Sequence, residues 1–144
     1  MIRVQIDCPA QHEYLELMEG TYQSTLEKVC FAGRHALYVA VHEALINAIE
    51  ATQQTYGEET RETVSLQMTA SPAEVVIHII DSAGGIPQDV LDRQYCTTLE
   101  DRLWEENGRG LLIMKQMADE LWFEKTDDGR QLVGLRKRGE HTSE

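Results

Sequence analysis

From His35 to Gln54 the chain contains neither glycine nor proline and is made largely of residues that favour helix. Leu37, Val41, Leu45 and Ala48, with Ala44 beside them, recur at helical spacing and predict a stripe that faces a core. Glu43 and Asn47 are four residues apart, so a helix puts them on one face, one above the other. An acid and an amide so placed can hold a hydrated cation and a reactive hydroxyl side by side. A solvated pair on an exposed face has the same spacing, and for this helix taken alone it is the commoner arrangement.

Around this helix the sequence alternates between two periods. Ile2, Val4 and Ile6 alternate with polar residues, predicting a first strand that Pro9 ends. Leu15, Met18, Tyr22, Leu26, Val29 and Cys30 predict an amphipathic helix over residues 11–30, with Gly20 as a candidate break. Val64, Leu66 and Met68 form a second alternating strand, and residues 74–81 a third, mostly apolar one. With Ser71-Pro72-Ala73 between them, the two read as an antiparallel hairpin. Residues 82–107 have no clear pattern, and a stretch of that length in a compact domain is often a lid. Residues 109–120 predict a buried helix entered from a Gly-X-Gly turn. Two last strands, 121–125 and 131–136, flank the hairpin turn Asp127-Asp128-Gly129. The expected fold is α+β: a two-layer sandwich with a mixed, mostly antiparallel sheet of about five strands and helices on one face. A chain of 144 residues predicts one domain, here 1–138, followed by a disordered tail, 139–144.

The net charge of −12 argues against nucleic-acid binding, which requires basic surface to neutralise phosphates. No apolar run is long enough to span a bilayer, and the first residues lack the pattern of a secretory signal. Cys8, Cys30 and Cys96 are widely separated and form no CxxC pair. Reduced, buried thiols in a cytoplasmic protein are the plain expectation. His12, His35 and His78 show no ligand spacing, and Trp104, Trp122 and Phe123 are most simply core.

Two glycine-containing stretches follow the helix. Asp81 ends the third strand and is followed by Ser82-Ala83-Gly84-Gly85. An acid there can accept the exocyclic amine of a purine while glycines let the backbone pass close to the ring; an Asx turn at a strand end would look the same. Asn107-Gly108-Arg109-Gly110-Leu111 opens the next helix. Free N–H groups and the helix dipole favour an anion there, and Arg109 adds charge for a phosphate; an ordinary loop-to-helix junction is the alternative.

The order and separation of the three stretches resemble the histidine-kinase-like (GHKL) ATPase superfamily, over nearly the whole chain. Residues 43–48 match its N box, 81–87 its first glycine box, and 108–114 its second, in the form typical of anti-sigma-factor serine/threonine kinases. The resemblance implies a Bergerat-type ATP-binding fold with ATP and Mg²⁺ as ligands. Asn47 would hold Mg²⁺, and Glu43 would act as general base toward a protein hydroxyl. Asp81 would read adenine, Gly84 and Gly85 would make room for the base, and Gly108, Arg109, Gly110 and Leu111 would meet the phosphates under a lid at 88–107. The implied partners are a STAS-type anti-anti-sigma protein and a sigma factor, with homodimerisation through the 11–30 helix among the assemblies allowed. The chain departs from the family pattern at Ala83, which replaces the first glycine, at Ala51, which replaces a His or Asn, and at Gln131, which stands where a Thr is common. Glu105-Glu106 leaves no cation before Gly108. These departures carry the alternative: an ATP-gated or nucleotide-free interaction module without kinase activity.

Overall fold

A computed structural model describes residues 1–83 and 110–139. Five strands form one sheet: β1 (Ile2–Pro9), β2 (Thr63–Ala70), β3 (Glu74–Asp81), β4 (Glu120–Lys125) and β5 (Gln131–Arg138). Their spatial order is β1-β2-β3-β5-β4, and all four pairings are antiparallel. Among the described residues the expected parallel component is absent, because β5 inserts between β3 and β4 and the two strands that run the same way never pair.

Every strand contributes to one apolar row after another. Val4, Met68, Ile77, Leu135 and Leu121 are aligned across the whole sheet, and Ile6, Leu66, Ile79, Val133 and Phe123 form the next row. All ten belong to the core or pack against it. The helices cover this face. α1 (Leu15–Lys28) follows a single 3₁₀ turn at His12–Tyr14, and α2 (Arg34–Tyr56) buries Leu37, Ala40, Val41, Ala44, Leu45, Ala48, Ile49 and Thr52. α1 runs unbroken through Gly20, which lies on its exposed side with open space around it. α2 stops at Gly57, whose φ of +99° suits glycine and whose N–H caps the Gln53 carbonyl at 2.7 Å. A third helix, α3, runs through residues 110–117, and Glu120 is already strand. It buries Leu111 and Met114 but leaves Leu112 46% exposed, so it is amphipathic rather than buried throughout.

Two further expectations are corrected. Cys8 is buried, but Cys30 is exposed, beyond the C-terminus of α1, with a φ of +54°. Phe123 packs on the core, whereas Trp122 belongs to the opposite face. Its indole lies flat over Gly134, where any Cβ would collide with the ring, and it meets His78 edge-on at 5.8 Å. The sequence could not separate these neighbours, because both faces of β4 carry a large aromatic residue. The lid at 88–107, with Cys96, Thr97, Thr98 and Trp104, lies outside the described residues, as do residues 140–144. Gly139 is held by a 2.7 Å hydrogen bond from its N–H to the Ala73 carbonyl. No helix among the described residues is long and apolar enough to cross a membrane.

Candidate functional site

The apolar stripe of α2 fixes where its polar residues go. With Val41, Ala44, Leu45 and Ala48 turned into the core, Glu43 and Asn47 come to lie half-buried at its margin. Ala51 continues the same line one turn further on. A 2.7 Å contact between His42 Nδ1 and Glu19 Oε2 ties α2 to α1 beside this face.

Gly110 of α3 meets that face. A Cβ built on Gly110 would lie 3.3 Å from Asn47 Nδ2, 3.3 Å from Glu43 Oε1 and 3.8 Å from Asn47 Oδ1. Glycine therefore lets the backbone of α3 approach the acid–amide pair to a distance that any side chain would widen. The backbone of α3 at Gly110 and the carboxylate and amide of α2 converge at one place. Glu43 and Asn47 are thus a packed pair, which distinguishes them from a solvated face. Leu111 is 3% exposed and part of the core, so only its backbone is available to a ligand.

The second group sits at the end of β3, the strand that α2 covers. Asp81 is 6% exposed, on the helix-facing side of the sheet. Its Oδ1 accepts a 2.9 Å hydrogen bond from the Ala83 N–H. Burial pushes its carboxyl up from 3.8 to about 6, and the Ala83 hydrogen bond acts weakly in the other direction. Ser82 donates its hydroxyl to the Thr63 carbonyl at 2.8 Å, pinning the turn to β2. Sequence reasoning missed this anchor; the signal was a serine directly after a strand-ending Asp. Among the described residues the one non-glycine with positive φ is Cys30, so Ala83 closes its Asx turn without the left-handed conformation that a glycine would have permitted.

Gln131 is the direct cross-strand partner of Asp81 and is itself 9% exposed. Its Nε2 reaches the Glu124 and Leu132 carbonyls only at 3.4 Å each. A donor and an acceptor are therefore available beside the carboxylate. Gly84, Gly85, Gly108 and Arg109 lie outside the described residues. Among the described residues no group of three or more His, Cys, Asp or Glu side chains forms a metal cluster. The oxygen of Asn47 is a hard donor of the kind Mg²⁺ accepts alongside phosphate and water, so the residues present fit that ion.

The family described as the histidine kinase-like ATPase domain matches residues 8–137. No curated protein matches the chain. Among solved structures it is similar to the RsbU and RsbW domains of Rv1364c from Mycobacterium tuberculosis, at 14% identity and a TM-score of 0.67. That likeness covers 99% of this chain but only 34% of the other, so the chain spans about a third of that protein's length. It is also similar to a structure of the SiaB–SiaC complex from Pseudomonas aeruginosa, at 14% identity and a TM-score of 0.58, over 94% of this chain and 89% of that one. The chain belongs to the histidine kinase-like ATPase domain family.

Proposed function

We propose that this histidine kinase-like ATPase domain binds ATP with Mg²⁺ and transfers the γ-phosphoryl group to a Ser or Thr of a STAS-type partner protein. In doing so it exchanges that partner for a second regulatory protein of sigma-factor type. The observation that carries the reading is the approach of Gly110 to Glu43 and Asn47. It brings a base, a metal-ligating oxygen and a close glycine backbone together in one place. Such a trio suits phosphoryl transfer, which is mostly positioning and electrostatics.

In this reading Asn47 offers its side-chain oxygen to Mg²⁺. The ion supplies charge neutralisation on the phosphates. Glu43 accepts the proton of the partner's hydroxyl as the oxygen bonds to the γ-phosphorus and the bond to the leaving ADP oxygen breaks. Asp81 accepts from the adenine amine and Gln131 lies beside it, in place of the family's Thr. Gly84 and Gly85 would give the base room, and Gly108, Arg109 and the backbone of Gly110 and Leu111 would receive the phosphates. The similarity to a complex between two proteins supports a protein as the phosphate acceptor. Replacing Glu43 with Ala should leave ATP binding in place and abolish phosphotransfer to the partner. Full transfer by that variant would overturn the assignment. ATP binding without transfer by the wild type would make the chain a nucleotide-gated interaction module instead.

A further inference from the structure

The helix-facing side of β3 and β5 changes character at one end. Ile77 stands opposite Leu135, then Ile79 opposite Val133, then Asp81 opposite Gln131. The first two pairs belong to the core or pack against it. The third puts a carboxylate and a primary amide side by side, and both residues are buried. Direct cross-strand partners hold their Cβ atoms about 5 Å apart. The protein itself makes only partial use of these groups. Asp81 Oδ1 accepts from the Ala83 N–H at 2.9 Å. Gln131 Nε2 reaches the Glu124 and Leu132 carbonyls at 3.4 Å each, beyond the usual length of an N–H···O bond. A buried amide so loosely held gives up little when it turns to a ligand, and it gains a full hydrogen bond in return.

The inference rests on the nucleotide reading of this site and concerns which base the site takes. A lone carboxylate selects adenine over guanine. It accepts from the 6-amine of adenine and repels the oxygen that guanine carries at the same position. An amide donor beside the carboxylate removes that selection. Along one edge guanine presents O6 as an acceptor, then N1–H and the 2-amine as donors. Moved along that edge, the base turns O6 to Gln131 Nε2 and its two donors to the Asp81 carboxylate. Each polar atom of the edge then has a partner, and none is buried against a like group. Adenine makes its amine contact with the carboxylate alone, whereas guanine depends on the amide to receive O6. We propose that Gln131 opens the base site to guanine, so that the chain takes GTP as well as ATP as its nucleotide.

Titration calorimetry on the full chain, with ATP and GTP in the presence of Mg²⁺, tests this. The wild type should bind GTP within about tenfold of ATP. Gln131→Leu keeps the bulk of the side chain and removes its amide. It should weaken GTP at least about tenfold more than ATP, because O6 is then buried without a donor. A role in packing alone would lower both affinities alike. Xanthosine triphosphate gives a second readout that needs no substitution. It carries an oxygen where guanine has its 2-amine, facing the Asp81 carboxylate, and should bind the wild type at least about tenfold more weakly than GTP. ATP binding with GTP weaker by more than about tenfold would overturn this inference and leave the ATP reading standing. A GTP-to-ATP ratio unchanged in Gln131→Leu would overturn it too, as would equal binding of GTP and xanthosine triphosphate. Binding of neither ATP nor GTP would overturn the nucleotide reading itself and this inference with it.

Discussion

Gly110 stands against Asn47 so closely that a single methyl group on it would come within 3.3 Å of the amide nitrogen. The same methyl would lie 3.3 Å from Glu43 Oε1, and both neighbours are the ends of flexible side chains. They can give way at small cost, and alanine favours helix over glycine by about 1 kcal/mol. Gly110→Ala should therefore leave thermal stability within about 1 kcal/mol of wild type. It should nevertheless weaken nucleotide binding, because the displaced groups are the ones assigned to metal and substrate. Parallel melting and binding measurements check this; equal losses in both would mean that Gly110 serves the fold alone.

Asp81 makes the site pH-dependent. Its carboxyl ionises near 3.8 when unfolded and at about 6 when folded, because burial raises it. Between those values the folded state holds more protons. The stability that this group contributes is complete below the unfolded value and is lost as pH rises through about 6, an amount on the order of 3 kcal/mol. Asp81→Asn should thus raise the melting temperature at neutral pH and flatten its fall between pH 4 and pH 6, about the span of the two values. A purine amine donating to the carboxylate favours the charged form, so nucleotide affinity in the wild type should rise as pH passes through about 6. Calorimetry in buffers of different ionisation enthalpy would detect the accompanying proton release. Affinity that is flat across this range would remove Asp81 from base recognition.

These two positions also show how far the sequence could be read. The helical period of α2 fixed Glu43 and Asn47 on one face, and the alternation of residues 74–81 put Asp81 at a strand end, because both patterns depend only on local geometry. That Gly110 closes on the pair was not legible, since it depends on how α3 docks across the 62 intervening positions between Asn47 and Gly110 in the chain. How the turn accommodates Ala83 in place of a glycine was not legible; the Asp81 carboxylate closes it by accepting the Ala83 N–H. Strand order was not legible either. A hairpin of β4 and β5 can join the sheet by either edge, and only the pairing of β5 with β3 brings Gln131 opposite Asp81.

Gly134 tests the outer face of the sheet. Because Trp122 lies flat on its backbone, Gly134→Val should push the indole off β5 and break its edge contact with His78. The expected cost is about 1–3 kcal/mol. In a Trp104→Phe background, Trp122 emission should shift to the red. An unchanged spectrum and melting temperature would contradict this packing. ATP binding should persist, since Gly134 and Trp122 lie on the face opposite α2.

The central claim is that Asn47 and its neighbours form a metal–nucleotide site. Titration calorimetry of ATP with Mg²⁺ on the wild type and on Asn47→Ala tests it most directly. The account predicts binding by the wild type and a loss of at least about tenfold in the variant, a difference near 1.4 kcal/mol, with little change when Mg²⁺ is omitted from the variant. No binding by the wild type at millimolar nucleotide, or equal Mg²⁺-dependent affinity in both proteins, would contradict it.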